Sequence, residues 1–335
     1  MTETIDAARA TRYKKRGILN KIIAHPAGNV TLVFLVVVAV CIVAGLIVPD
    51  QFRFLSPINM KILMRAIPTL GIMSLGVALL MISGEFDLSV GAVFGLSSYV
   101  MATSYVAGAP ILIALAMALV AGIGIGFLNG FITTKFAIPS FITTLGTLFI
   151  FRSGGRLISG NHPVIFTPPL WFKSMLTGKF LGLQMQFIWF LGLALVAYLI
   201  LNRHWLGNHF FAVGGNATAS QKVGINAKRT KIIAFVLCSI FSVLAGAIAI
   251  TRLGQASTEP LMFMELEAVA ACVMGAIALS GGRGSILGVV IGACMFHLVK
   301  DVILLTRMPA YYLDLFIGIV IIFGVTLNQV AKKRY

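Results

Sequence analysis

Apolar runs close to 20 residues long recur from one end of this 335-residue chain to the other, and they leave few folds open. In hydrocarbon, every backbone N–H and C=O must be satisfied within the protein, so a run of that length reads as a membrane-crossing helix. Composition agrees. Charged residues make up 11% of the chain, against about 25% in a soluble domain, and the mean hydropathy is +0.99. So few charges cannot coat a water-facing surface. The expected fold class is all-α: a polytopic membrane protein of about ten transmembrane helices, some of them short or broken.

The runs lie at 28–48, 62–83, 90–107, 111–133, 138–151, 180–202, 231–251, 267–280, 285–305 and 311–330. The third, fifth and eighth are short or interrupted by glycine. Residues 1–27 read as a basic cytoplasmic arm, 28–330 as the transmembrane domain and 331–335 as a cytoplasmic tail. Between spans, 153–179 is rich in Pro, Gly and aromatics and reads as a structured outer cap. Gly122, Gly126 and Gly130, spaced by four, give one smooth helix face that suits a packing seam. The chain also divides into two similar halves. In each, a long span runs into a polar break and a less hydrophobic segment, at 67–91 and 234–267, as in transporters built from repeats.

The formal charge of +16 raises the possibility of a nucleic-acid partner. The basic residues instead flank apolar spans, where they orient helices with the excess facing the cytoplasm. With both termini inside, sixteen of the 26 Lys and Arg fall on the cytoplasmic side, and no nucleic acid is expected. Cys41, Cys238, Cys272 and Cys294 share no motif spacing and read as small buried side chains. No metal site is expected, and no catalytic set can be placed: His204 and His209 are five apart, and no serine–histidine–aspartate constellation appears. The phosphate-binding glycine loop of nucleotide hydrolases is absent. The chain therefore reads as a non-enzyme whose energy, if transport is active, comes through another subunit. An intramembrane enzyme would need a catalytic pair that is not visible. An ion-coupled carrier or channel would need ionisable residues deep in the bundle, of which almost none are expected. Lys300 and Asp301 are adjacent, so they point apart on a helix and pair with other residues. Asp87 reads as a capping partner of Ser89 at the third span, with solute contact the competing role.

The segment 210–229 is the longest polar interval in the second half. Asn216 is a good N-cap and Gly224 suits a left-handed helix end. The helix between them, 217–223, is too short to persist in water unless it packs on something.

Three motifs resemble one family: GEFDLSVG (84–91), AVGGNATASQKVGIN (212–226) and EAVAACVMGAIALSGGRGSILGVVIGA (267–293). They resemble permease subunits of bacterial ATP-binding-cassette importers for sugars, the branched group that includes ribose, xylose, arabinose and autoinducer-2 systems. Gly84, Asp87, Leu88, Ser89, Val90 and Gly91 follow the first pattern, while Glu85 stands in place of a glycine. Gly214, Gly215, Asn216, Ala219, Gly224, Ile225 and Asn226 follow the second, with Ala217 in place of an acidic residue and Thr218 in place of an alanine. Gly275, Leu279, Gly281, Gly282, Gly284, Gly288 and Gly292 follow the third, with Ala276 in place of a glycine.

The resemblance implies two permeases, of the same or a paralogous chain, around a path for a sugar or sugar-like solute in the bacterial inner membrane. It also implies a separate ABC ATPase that binds the ATP and Mg, a periplasmic solute-binding protein, and no cofactor in this chain. Membrane lipid is the remaining partner. In this reading Gly214, Gly215, Asn216, Ala219, Lys222, Gly224 and Ile225 form the ATPase-coupling loop within about 203–230. Gly84, Asp87, Ser89, Gly91, Gly275, Gly281, Gly282 and Gly284 are candidate pathway or helix-break positions. With Ala217 uncharged, docking is expected to rest on helix shape, backbone and the basic Lys222, Lys228 and Arg229.

Overall fold

A computed structural model of the chain describes residues 28–257, 263–309 and 311–332. The basic arm, residues 258–262 with Glu259, and the last three tail residues lie outside them. The described residues form thirteen helices and four two-residue strands, in accord with an all-α membrane fold.

Ten helices take up the expected spans. In chain order they are α1 (Gly28–Ile47), α2 (Pro57–Ile82), α3 (Val90–Val106), α4 (Ile111–Phe136), α5 (Ser140–Ser159), α7 (Met185–Asn202), α10 (Ala227–Leu253), α11 (Met264–Met274), α12 (Ile286–Leu305) and α13 (Tyr311–Lys332). The interposed helices are α6 (Leu170–Thr177), α8 (Trp205–Gly215) and α9 (Ala217–Lys222). Six of these (α1, α2, α4, α7, α10 and α12) are long and apolar enough to cross a membrane. Short polar side chains start some of the helices at their observed positions. Ser56 Oγ accepts from Asn59 N–H at 3.1 Å, and Pro57 occupies the first turn, where a missing N–H costs nothing. Ser285 Oγ accepts from Gly288 N–H at 3.0 Å at the head of α12.

The core lies where α2 and α10 pack on each other, each buried over most of its length. Gly76 makes this contact close, because a Cβ there would sit 2.8 Å from Phe241 Cβ. Each central helix is followed by a break and a shorter helix, α3 or α11, in the two-half arrangement expected. The glycine seam of α4 also forms: Gly122 meets Val243, Gly126 meets Ser239 and Phe235, and Gly130 meets Ile232, all on α10. Leu35, Val36, Val40 and Leu46 of α1 are exposed, as befits a lipid-facing helix.

Several boundaries differ from expectation. The fifth helix does not stop at Phe151 but runs to Ser159, because Arg152 finds Glu265 at 3.0 Å and need not leave the bundle. The sixth-span helix begins at Met185 rather than Phe180, since Lys179–Phe180 (β2) pairs antiparallel with Leu183–Gln184 (β3). The eighth-span helix ends at Met274 rather than Ser280, where Gly275 packs on Gly288 and Ala276 turns left-handed with φ 59°. Within 153–179, Val164–Ile165 (β1) pairs with Gln255–Ala256 (β4) just beyond α10.

Buried ionisable groups are also more numerous than expected. Asp87, Glu85, Glu265 and Asp301 are all buried, and each reaches a partner across the fold or within its own loop. Lys300 and Asp301 point apart: Lys300 Nζ lies 3.2 Å from Glu267 Oε1, and Asp301 Oδ2 accepts from Asn59 at 2.8 Å.

Candidate functional site

The three sequence motifs, far apart in the chain, meet backbone to backbone. Helix α2 ends at Ile82, Ser83 Oγ folds back on the Leu80 carbonyl at 2.7 Å, and Gly84 turns left-handed with φ 88°. The Ile82 carbonyl, orphaned at the helix end, accepts from Gly282 N–H at 2.8 Å. Gly214 packs against both partners of that bond, and a Cβ there would overlap the Ile82 carbonyl oxygen. A Cβ on Gly281 would lie 2.7 Å from Gly84 Cα, and one on Gly282 would lie 2.7 Å from Gly215 Cα. Real Cβ atoms do not approach so closely, so only glycine allows the three chains to touch. Gly281 and Gly282, with φ 77° and 71°, also need the left-handed backbone that glycine adopts freely.

From this junction the chain turns back into the bundle as an irregular segment, 85–89, before α3 starts. Buried irregular backbone must be satisfied by protein. Here α5 supplies the acceptors: Ser140 Oγ takes the Phe86 N–H and Thr144 Oγ1 takes the Leu88 N–H, both at 3.1 Å. Asp87 Oδ1 accepts from Ser89 N–H at 2.7 Å and from Ser89 Oγ at 2.6 Å, the local pairing its position predicted. Asn129 of α4 completes the set by donating to Ser89 Oγ at 2.8 Å. The sequence reading passed over Asn129. A lone amide in an otherwise apolar span was the signal for it.

Two ion pairs brace the same region. Glu85 pairs with Lys231 in the first turns of α10, joining the returning segment to the helix that follows the loop. Gly91 leaves room for Glu265, since a Cβ there would press on its carboxylate, and Glu265 holds Arg152.

The loop itself contains more structure than its polarity implied. Its first part is helical, because Phe210 is fully buried on the inward face of α8 while His209 and Asn208 mark the other side. After a one-residue break, Asn216 Oδ1 accepts from Ala219 N–H at 2.9 Å, and α9 ends at Lys222. Gly224 is left-handed at φ 87°, as expected of a helix end. Asn226 Oδ1 then caps α10 through Arg229 N–H at 3.0 Å. Ser220 is buried and Ile225 half-buried, while Ala219, Lys222, Val223, Lys228 and Arg229 are exposed. A cleft beside the loop is lined by Glu85, Pro139, Ala217, Gln221, Lys228 and Lys231.

The remaining break glycines serve the α11–α12 hairpin. A Cβ on Gly275 would meet the Gly288 backbone at 2.6 Å, and one on Gly292 would meet Gly275 N at 2.7 Å. Gly284 packs on Ile82 and Ile277 at the edge of the junction. The structure thus joins Gly84, Gly214, Gly215, Gly281, Gly282 and Gly284. It places Asp87, Ser89 and Gly91 on the returning segment and Gly275 at the hairpin. Asn216, Ala219, Lys222, Gly224 and Ile225 lie on the loop. Among the described residues, no group of His, Cys, Asp and Glu is arranged to hold a metal ion.

Residues 59–325 match the family described as branched-chain amino acid transport system / permease component. The chain is 31% identical over 252 residues to the autoinducer 2 import system permease protein of Yersinia enterocolitica, covering 75% of this chain and 69% of that protein. It is 31% identical over 277 residues to the ribose import permease protein of Bacillus subtilis, covering 82% and 86%. It is 28% identical over 294 residues to the autoinducer 2 import system permease protein of Photorhabdus luminescens, covering 85% of this chain and 86% of that protein. No solved structure matches the chain.

Proposed function

The chain belongs to the permease-component family of branched-chain amino acid transport systems, and we propose that it lines the inner-membrane path of an ATP-binding-cassette importer for a sugar or sugar-like solute. The single observation that carries the solute class is the likeness to permeases named for ribose and autoinducer 2, over most of both chains. ATP and Mg would be bound by a separate ATPase. A second permease, identical or paralogous, would complete the path, and a periplasmic binding protein would deliver the solute.

The glycine junction supports a specific route for coupling. A helix too short to stand alone is held at Asn216 and Gly224, and its preceding helix α8 ends on the backbone of Ile82, Gly84 and Gly282. Movement of α9 by a docked ATPase would therefore reach α2 and the α11–α12 hairpin directly, and α10 through Lys231. Packed elements that move as rigid bodies transmit such displacements. The exposed Ala219, Lys222, Val223, Lys228 and Arg229 would form the docking face, which in this orientation lies in the cytoplasm with both termini.

Reconstitution with its ATPase and binding protein in liposomes tests this reading. Uptake of a neutral sugar should require ATP, and Lys222→Glu should lower uptake and solute-stimulated hydrolysis together. Uptake by the chain alone, driven by an ion gradient, would favour a secondary carrier. The buried carboxylates of Asp87 and Glu265 are the observation that keeps that second reading in view.

A further inference from the structure

At the end of the bundle opposite the glycine junction, a cavity of about 270 Å3 opens between α2, α10, α11 and α12. Ala66 lies on its wall, about 24 Å along α2 from Ile82 at 1.5 Å per residue. Of the three motifs that drew attention in the sequence, only the third reaches it, through its first residue, Glu267.

Its walls combine an apolar side, including Phe94, with Arg252, Glu267, His297, Lys300 and Asp301. The two cations and two carboxylates balance. They are also already engaged: Lys300 with Glu267 at 3.2 Å, Asp301 with Asn59 at 2.8 Å, and Arg252 Nη1 with the Arg65 carbonyl at 2.9 Å. His297 Nδ1 lies 3.3 Å from the Ala293 carbonyl, leaving its other ring nitrogen uncommitted there. Arg252 Nε is buried with no hydrogen-bond partner among the described residues.

We propose that this cavity is a binding stop for one neutral, polyhydroxylated solute molecule, recognised by Arg252, Glu267, His297 and Lys300. An anion or a cation would meet as much repulsion as attraction here. A zwitterion would have to break the Lys300–Glu267 pair and take each charge from a partner already in place. Hydroxyls both donate and accept, so they can bridge Glu267 and Lys300 while those two remain paired, and charge-assisted hydrogen bonds of this kind are strong. The volume lies just below the usual range for drug-sized ligands, about 300 to 1,000 Å3, and suits a single sugar ring.

This inference rests on the reading of the chain as a sugar permease, and the test separates the two. Ala66→Cys places a thiol on the cavity wall. In the complete importer in liposomes, its rate of modification by a methanethiosulfonate reagent is measured against the unsubstituted chain, alongside uptake. The probes are ribose, xylose and galactose, with galacturonate, glucosamine and leucine as charged and zwitterionic comparisons. A several-fold slowing by whichever neutral sugar is taken up, and not by the other three, is the expected result. Glu267→Gln should shift protection toward galacturonate and Lys300→Met toward glucosamine. The double variant Glu267→Gln/Lys300→Met, neutral again, should restore preference for the neutral sugar, a pattern that loss of folding cannot produce. Uptake of a neutral sugar without protection overturns this site and leaves the permease reading standing. Protection by leucine or by either charged sugar in the unsubstituted-charge background also overturns it. If no neutral sugar is taken up, both readings fall.

Discussion

Gly282 donates its backbone N–H to the carbonyl of Ile82 at 2.8 Å, so the end of one central helix is closed by a loop from the far end of the chain. Gly214 lies against both groups, which puts the end of α8 in the same contact. Two adjacent glycines of one motif therefore have different roles. A Cβ on Gly214 overlaps the junction, whereas one on Gly215 meets open space. Gly214→Ala is expected to destabilise the chain by about 1–3 kcal/mol through overpacking and to abolish ATP-driven uptake. Gly215→Ala should leave both near normal. Thermal unfolding of the detergent-solubilised chain and uptake in liposomes check the pair, and equal effects would remove the junction from the coupling route.

Glu85, itself buried, and the partly exposed Lys231 join the returning segment to α10. Loss of either partner should cost less than the 3–5 kcal/mol typical of a fully buried pair. A double-mutant cycle with Glu85→Gln and Lys231→Met is expected to give an interaction energy of about 0.5–3 kcal/mol. Additive effects in unfolding experiments would show that the pair holds nothing together.

Asn129 donates to Ser89 Oγ beside the buried Asp87. Asn129→Ala leaves that hydroxyl without its donor and should cost about 1–3 kcal/mol. Asn129→Asp should be worse, because it sets a second carboxylate near the first. An aspartate variant more stable than the alanine variant in a thermal-shift measurement would contradict this account.

Ala276 is held left-handed with φ 59° at the break after α11. An L-residue with a Cβ loses about 1–2 kcal/mol in that region, and glycine does not. Ala276→Gly is expected to raise the unfolding midpoint without lowering uptake, the reverse of what glycine does inside a helix. A drop in midpoint would mean that the alanine methyl is needed by its neighbours.

The long helices were legible because bilayer thickness fixes their length, and a run such as 111–133 shows it without reference to any partner. The Gly122–Gly126–Gly130 seam and the Asn216 cap were legible for a similar reason, since both depend on spacing within one segment. Arg152 shows where such reading stops. It looked like the end of a helix, but its partner Glu265 lies on another element, so the helix continues. The buried face of α8 was hidden by the neighbouring His209 and Asn208. The junction escaped because backbone contacts between Ile82, Gly214 and Gly282 leave glycines in three motifs but no pattern that pairs them.

The order in which those three contributors leave the ribosome gives the junction a further consequence. Residues 82 and 214 are both synthesised well before 282, so α8 can pack on Ile82, but the hydrogen bond that closes the junction must wait for the link between α11 and α12. During that interval Ile82 retains an orphaned carbonyl. The contact that would carry motion from the loop to α2 and the α11–α12 hairpin together is therefore among the last parts to take shape. A nascent or truncated chain lacking Gly281 and Gly282 should thus leave the Ile82 carbonyl open and the junction unclosed even when its earlier helices have inserted.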